Sequence, residues 1–200
     1  MKELINNLKK RHFDPYYFET KEEAIEKIME LIPKDASCSW GGSVTIDSLG
    51  IKEMLRERGN KLYDRALGKT PEEVNKIMQE GLSSDYFLMS SNAITEDGVL
   101  FNIDGRGNRL AALCFGPKNV IVVVGKNKIV KDLDSAYDRV RNYVAPKNAA
   151  RLNCKTPCAI NNKCADCLSP DCICSQMVTT RLSKPQDKIK VIIINEELGF

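Results

Sequence analysis

Histidine is nearly missing from this chain, since His12 is the only one among 200 residues. A histidine-based metal centre or a Ser/His/Asp triad therefore lacks its key residue near any candidate loop, and His12 itself reads as an exposed residue at a helix end. Long apolar runs are missing too. The longest, Leu110 to Phe115 and Val120 to Val124, are strand-sized and far short of the ~20 residues that cross a bilayer, so no membrane span is expected. Met1 to Arg11 is polar and amphipathic without the apolar centre of a secretory signal, which makes the cytoplasm the expected compartment. Nor is there an excess of one charge: 30 Lys plus Arg stand against 27 Asp plus Glu, and a net charge of +3 gives no reason to expect nucleic acid as a partner. Internal repeats and low-complexity tracts do not occur. The glycine turn Gly41-Gly42-Ser43 has neither the G-x-G-x-x-G of a dinucleotide site nor the G-K-[ST] of a P-loop.

With 42% apolar and 28% charged residues, the composition is that of a globular protein, and the length suits one domain over residues 1–200. What the chain does have is cysteine. Six of its eight cysteines, Cys154, Cys158, Cys164, Cys167, Cys172 and Cys174, fall within 21 residues, while Cys38 and Cys114 lie far upstream. In a reducing compartment such a cluster reads as metal ligation or redox chemistry more readily than as a disulfide framework. With no histidine close by, any centre is all-thiolate, which suits a [4Fe-4S] cluster or a structural zinc. The compact, irregular spacing lacks the two separated pairs of a zinc ribbon and tilts the reading to iron-sulfur, with zinc as the alternative. Lys147, Arg151, Lys155 and Lys163 are close in sequence and available to offset the thiolate charge.

Helices are predicted from caps and periodicity. Thr20 and Glu23 form a capping box before Ala24, Ile25, Ile28, Met29 and Ile32, and Pro33 stops that helix. Thr70-Pro71-Glu72-Glu73 opens another that ends at Gly81. Asp132 caps a third, with Leu133, Ala136, Tyr137, Val140 and Val144 as its buried stripe and Pro146 beyond its end. β-like runs lie between them at 37–40, 61–63, 86–90, 99–103, 110–115, 120–124 and 190–195. Alternating helices and strands predict an α/β fold with a mixed, mostly parallel sheet flanked by helices. The turn formers Asp104 to Asn108 predict an antiparallel hairpin joining 99–103 to 110–115. The cysteine segment, 151–178, reads as an insertion before the last strand.

Two loops offer ligand sites. Trp40-Gly41-Gly42-Ser43-Val44-Thr45 follows a short strand and opens a helix expected to run to Gly59; such a turn presents backbone N-H groups to a phosphate or carboxylate, so Gly41, Gly42, Ser43 and Thr45 are candidate ligand-binding residues. Ser91 to Gly98 follows the strand at 86–90, and ligands in open α/β sheets sit beyond the carboxyl ends of strands. Glu96 or Asp97 is then the candidate acid or base, with Asn102, Asp104, Arg106, Asn108 and Arg109 as the polar groups around it. Arg106 and Arg109 could together clamp a carboxylate.

The order of these pieces, W-G-G-S-V-T, then S-N-A-I-T-E-D-G-V-L-F-N-I-D-G-R-G-N-R-L-A-A, then G-P-K-N-V-I-V-V-V-G-K-N-K-I-V, then T-P-C-A-I-N-N-K-C-A-D-C-L-S-P-D-C-I-C, resembles the LUD (lactate-utilisation) domain family from about Trp40 onward. It is most like the short members with a cysteine-rich segment. The resemblance implies a fold similar to the ribose-5-phosphate isomerase, glucosamine-6-phosphate deaminase and CoA-transferase superfamily. It also implies a role linked to oxidation of L-lactate to pyruvate beside an iron-sulfur partner protein. The family's P-C-x5-C-x2-C-x-S-P-D-R-I-C pattern implies Cys158, Cys164, Cys167 and Cys174 as metal ligands. Cys172 stands where that pattern has arginine, and Cys154 lies outside it.

Two classes of function follow. One is a redox accessory of organic-acid metabolism, with a [4Fe-4S] cluster and a small carboxylate or phosphorylated ligand. The other is an isomerase- or transferase-like enzyme, or a small-ligand sensor, in which zinc is structural. A homo-oligomer is compatible with either.

Overall fold

The computed structural model describes residues 1–200. Ten strands fall into two sheets: β1 (Asp14–Phe18), β2 (Cys38–Trp40), β3 (Leu62–Tyr63), β4 (Tyr86–Met89), β5 (Ala93–Thr95), β6 (Leu100–Asp104), β7 (Asn119–Gly125), β8 (Ile129–Val130), β9 (Gln176–Thr180) and β10 (Ile189–Ile194). The larger sheet is parallel throughout, in the order β1-β10-β7-β4-β2-β3. The smaller, β8-β5-β6-β9, is mixed. Around them lie α1 (Lys2–Lys10), α2 (Lys21–Leu31), α3 (Val44–Asp47), α4 (Ile51–Glu57), α5 (Pro71–Gly81), α6 (Asn108–Cys114), α7 (Leu133–Arg139), α8 (Ala145–Arg151) and α9 (Pro157–Asn161).

β7 and β10 are near-continuous Val/Ile runs because both faces of a parallel sheet are buried. Side-chain alternation divides them between two cores. Val120, Val122 and Val124 pack with Ile189, Val191 and Ile193 against α1 and α6, whereas Ile121 and Val123 pack with Ile192 and Ile194 against α2, α3 and α4. A third core seals the small sheet to the following helices through Ala93, Phe101, Ile103, Ala136, Val140 and Val144.

The α/β class, the capping box of α2 and the proline start of α5 agree with the sequence reading. The differences are local. The 110–115 run is not a strand: Asp104 Oδ1 accepts from the N-H groups of Arg106 and Gly107, Gly107 adopts φ +78°, and α6 begins at once. A short apolar run carries no period that separates a strand from a buried helical turn. The antiparallel partners of β6 are instead β5 and β9. The helix expected to reach Gly59 breaks into α3 and α4 at Gly50, whose φ of +66° belongs to the left-handed region. Pro146 does not end the third helix. Residues Val140–Val144 form a π-helical segment leading into α8, a register that accommodates a proline lacking its N-H. Four strands lie outside the expected runs: β1 and β9, rich in polar or aromatic residues without strict alternation, and the two- and three-residue β8 and β5, too short to carry a period. His12 is exposed just past the end of α1, as expected.

Candidate functional site

At the carboxyl ends of three neighbouring strands, β2, β4 and β7, the chain leaves the sheet towards opposite faces: α3 departs to one, the small sheet to the other. A cleft of about 340 Å³ opens there, the position where open α/β sheets hold ligands. Its walls combine Gly42 to Thr45 after β2, Ser90 to Asn92 after β4, Lys128 after β7 and the turn from Asp104 to Arg109. Four arginines, Arg65, Arg106, Arg109 and Arg151, and one lysine, Lys128, line it against one carboxylate side chain, Asp104.

The two loops singled out in the sequence therefore do meet, but their residues take different parts. Gly42, Ser43, Thr45, Asp104, Arg106, Asn108 and Arg109 line the cleft; Gly41 and Asn102 do not. Glu96 is exposed in the turn after β5, where its carbonyl oxygen accepts from Asn7 Nδ2, and it is not among the cleft residues. With α3 only four residues long, the helix-dipole argument for this loop loses its basis. Ser43 caps α3 through the Ile46 N-H, at 3.3 Å.

Arg109 is the hub of the floor rather than an open clamp. It is 8% exposed. Nη1 donates to the Ser90 carbonyl at 3.0 Å and Asn102 Oδ1 at 2.7 Å, Nη2 donates to Asn92 Oδ1 at 3.0 Å and the Ile103 carbonyl at 2.6 Å, and Nε lies 3.3 Å from Asp104 Oδ2. Every guanidinium nitrogen thus has a protein partner, leaving little capacity for a ligand. Asn102, fully buried, extends the network by donating from Nδ2 to Ser91 Oγ and accepting from the Asn92 N-H. Arg65, Arg106 and Arg151 make no ion pair in the fold; Arg151 donates to Asn148 Oδ1, which leaves Arg65 and Arg106 as the arginines with free guanidinium groups.

Lys128 is the residue the sequence reading missed. It is 4% exposed, and its Nζ donates to Thr45 Oγ1 and Ser90 Oγ, both at 2.8 Å. Burial, reinforced by the positive charges of Arg139 and Arg109, lowers its pKa to about 7. Nothing in G-K-N-K-I-V marks it, although its place just past a strand end was a usable signal.

The cysteine segment forms a neighbouring site. Cys158, Cys164, Cys167, Cys172 and Cys174 line a small cavity of about 20 Å³ together with Thr156, Ala145, Ile173 and Arg141. All four cysteines implied by the family pattern are present, joined by Cys172, while Cys154 stays outside the lining. The cation at the cavity is Arg141 of the π-helical segment, ion-paired to Asp166, rather than the basic residues of the segment itself. Cys164 Sγ accepts from the Asp166 N-H and Cys172 Sγ from the Cys174 N-H, each at 3.4 Å. Ser169 and Asp171 brace the loop against Lys155. No three metal-ligating side chains stand in finished coordination geometry. The donor set nevertheless fits an all-thiolate centre, because five sulfurs share one cavity faced by a cation. Burial pushes the Cys174 thiol up to about 12, so a metal taken up there would have to displace its proton.

Ile173 borders both the cleft and the cysteine cavity, and its Cα lies 3.2 Å from where a Cβ on Gly105 would be. The cysteine segment thus forms part of one wall of the cleft. No helix of the chain is long and apolar enough to cross a membrane.

The LUD domain family model matches residues 1–194, so the match extends beyond the stretch legible from Trp40 onward. Among solved structures, a DUF162 family protein from Deinococcus radiodurans is similar in fold, with a TM-score of 0.58 at 11% identity over 97% of this chain and 95% of that one. No curated protein matches the sequence.

Proposed function

Because the chain belongs to the LUD domain family, we propose that it is a redox accessory of organic-acid metabolism: the cleft binds a small carboxylate or phosphorylated ligand, and the cysteine cavity holds an iron-sulfur cluster. The observation that carries this reading is the shared wall: Ile173 belongs to both cavities, so a ligand in one and a cluster in the other would be neighbours. The basic lining supports an anionic ligand, as four arginines against one carboxylate side chain give the cleft a positive field. Cys158, Cys164, Cys167 and Cys174 would hold the cluster, which when bound supplies one-electron transfer. Arg141 beside the thiols would offset the net negative charge of a four-thiolate centre. The substrate pair suggested by the family is L-lactate and pyruvate, with an iron-sulfur partner protein as the electron acceptor and the cytoplasm as the setting.

A second reading has its own observation. The void among the thiols is about 20 Å³, the scale of a single water-sized occupant, and this suits one zinc ion in a structural role beside an isomerase- or transferase-like or sensing cleft. Anaerobic purification with metal and sulfide analysis and an absorption spectrum decides between them. Iron with labile sulfide, lost in Cys158→Ser, Cys164→Ser, Cys167→Ser and Cys174→Ser, is the expected result. Zinc alone from iron-replete cells would overturn the redox reading.

A further inference from the structure

The cleft contains one group to which anion binding and electron transfer give no task, the Lys128 amine. Its two hydrogen-bond partners are hydroxyls whose own hydrogens are committed: Thr45 donates to the Leu198 carbonyl at 3.1 Å, and Ser90 donates to the Ser91 carbonyl at 3.2 Å. Both hydroxyl oxygens therefore accept from Lys128 Nζ and give nothing back. A neutral amine has two N-H donors and one lone pair, so two acceptors satisfy it and leave the lone pair without a donor. An ammonium would carry a third N-H with no acceptor, inside the fold and without a carboxylate to pair it. The charged groups facing Lys128 are Arg109 of α6 and Arg139 of α7, both cationic.

We propose that Lys128 is a nucleophilic amine that forms an imine with the carbonyl carbon of a small oxo acid held in the cleft. The proposal rests on the anion-binding reading above, because the carboxylate of that acid is what Arg65 and Arg106 receive. A lysine that is desolvated and set beside other cations is activated in this way. In the reaction the Nζ lone pair adds to the carbonyl carbon, and the carbonyl π pair moves to oxygen to give a carbinolamine after proton transfer. The oxygen then leaves as water with both amine hydrogens, and the C=N bond forms; no oxidant or reductant is needed. The hydrogens that depart already point at the Thr45 and Ser90 oxygens.

The test is reductive trapping on the full chain, with pyruvate as the smallest 2-oxo acid probe and sodium borohydride as the trap, followed by peptide mapping by mass spectrometry. With its pKa at about 7, Lys128 has ~10³ times the uncharged fraction of an ordinary lysine at neutral pH, an advantage partly offset by its lower basicity. Labelling of Lys128 is expected at least about tenfold faster than at the exposed Lys76, rising through about pH 7, and lost in Lys128→Met. Labelling at Lys128 no faster than at Lys76 would overturn the proposal, and because this is read on the unmodified chain it does not depend on how the variant folds. The two readings fail separately: iron with no Lys128 adduct removes the imine and leaves the redox role, while an adduct in iron-free protein does the reverse.

Discussion

Replacing Arg109 by Met tests whether the cleft floor is held by one side chain. The substitution keeps an apolar stem of comparable length and removes all the guanidinium donors. It takes one donor each from the carbonyls of Ser90 and Ile103 and the side-chain oxygens of Asn102 and Asn92, and it leaves the Asp104 carboxylate, only 10% exposed, without its counter-ion. Removing one partner of a buried ion pair costs about 3–5 kcal/mol, because the other charge stays buried and unmatched. Partial rehydration through the open cleft places the expected loss near ~3 kcal/mol. For a chain of this length each kcal/mol is worth about 2–4 °C in melting temperature, so a drop of roughly 10 °C is expected. Urea unfolding followed by circular dichroism, with thermal melting alongside, measures it. Arg109→Lys should recover little, since one ammonium cannot reach acceptors spread over a planar fork. A loss under about 1 kcal/mol for Arg109→Met would refute the argument, for it would mean that water or a rearranged loop replaces the network without strain.

The remaining predictions concern Lys128, the glycine loop and Arg141. Lys128 has its folded-state pKa lowered from 10.5 to about 7, so between those values the unfolded chain binds more protons and stability rises with pH. From pH 7 to pH 9 this contributes about 2 kcal/mol, a gain that Lys128→Met should lack in pH-dependent urea titrations; equal slopes in both proteins would count against a buried amine. A Cβ at Gly41 would sit 2.9 Å from Arg109 Cδ, on a side chain fixed at five points, whereas one at Gly42 would meet the Arg65 Nη2, the free end of a flexible chain. Gly41→Ala should therefore destabilise by roughly 1–3 kcal/mol and Gly42→Ala by clearly less, and the reverse order in denaturant midpoints would contradict the packing. Arg141→Met removes the cation at the cysteine cavity. If a cluster is bound, an added electron becomes less favourable and the reduction potential falls, as read by a redox titration of the visible or EPR signal.

Much of this protein was legible in its local sequence. Where one residue type at one spacing has a single physical reading, the reading agreed with the structure: Thr20 with Glu23 as a capping box, Pro71 at the first helical turn, the Val/Ile runs of β7 and β10 as strands buried on both faces. The clustered cysteines do share one small cavity, as their spacing suggests. Where the same residues satisfy two geometries, local pattern could not choose. Leu110 to Phe115 is as apolar as a strand, and Asp104 with Gly107 turned it into α6. Pro146 reads as a terminator, and a π-helical register carries the chain through it.

Tertiary structure alone decided what the charged residues do. Arg109 and Lys128 are both ordinary basic residues in the sequence, and burial makes them opposites: Arg109 is spent on five protein partners, while Lys128 is left with two hydroxyls, no counter-ion and a lowered pKa. The contact of the cleft with the cysteine cavity through Ile173 is likewise invisible along the chain, because it joins strand ends and a cysteine segment far apart in sequence. Composition and spacing fix which groups are available and which local geometries they prefer. Desolvation and long-range packing fix which of those groups keep their charge, which are consumed by the fold, and which are left facing a ligand.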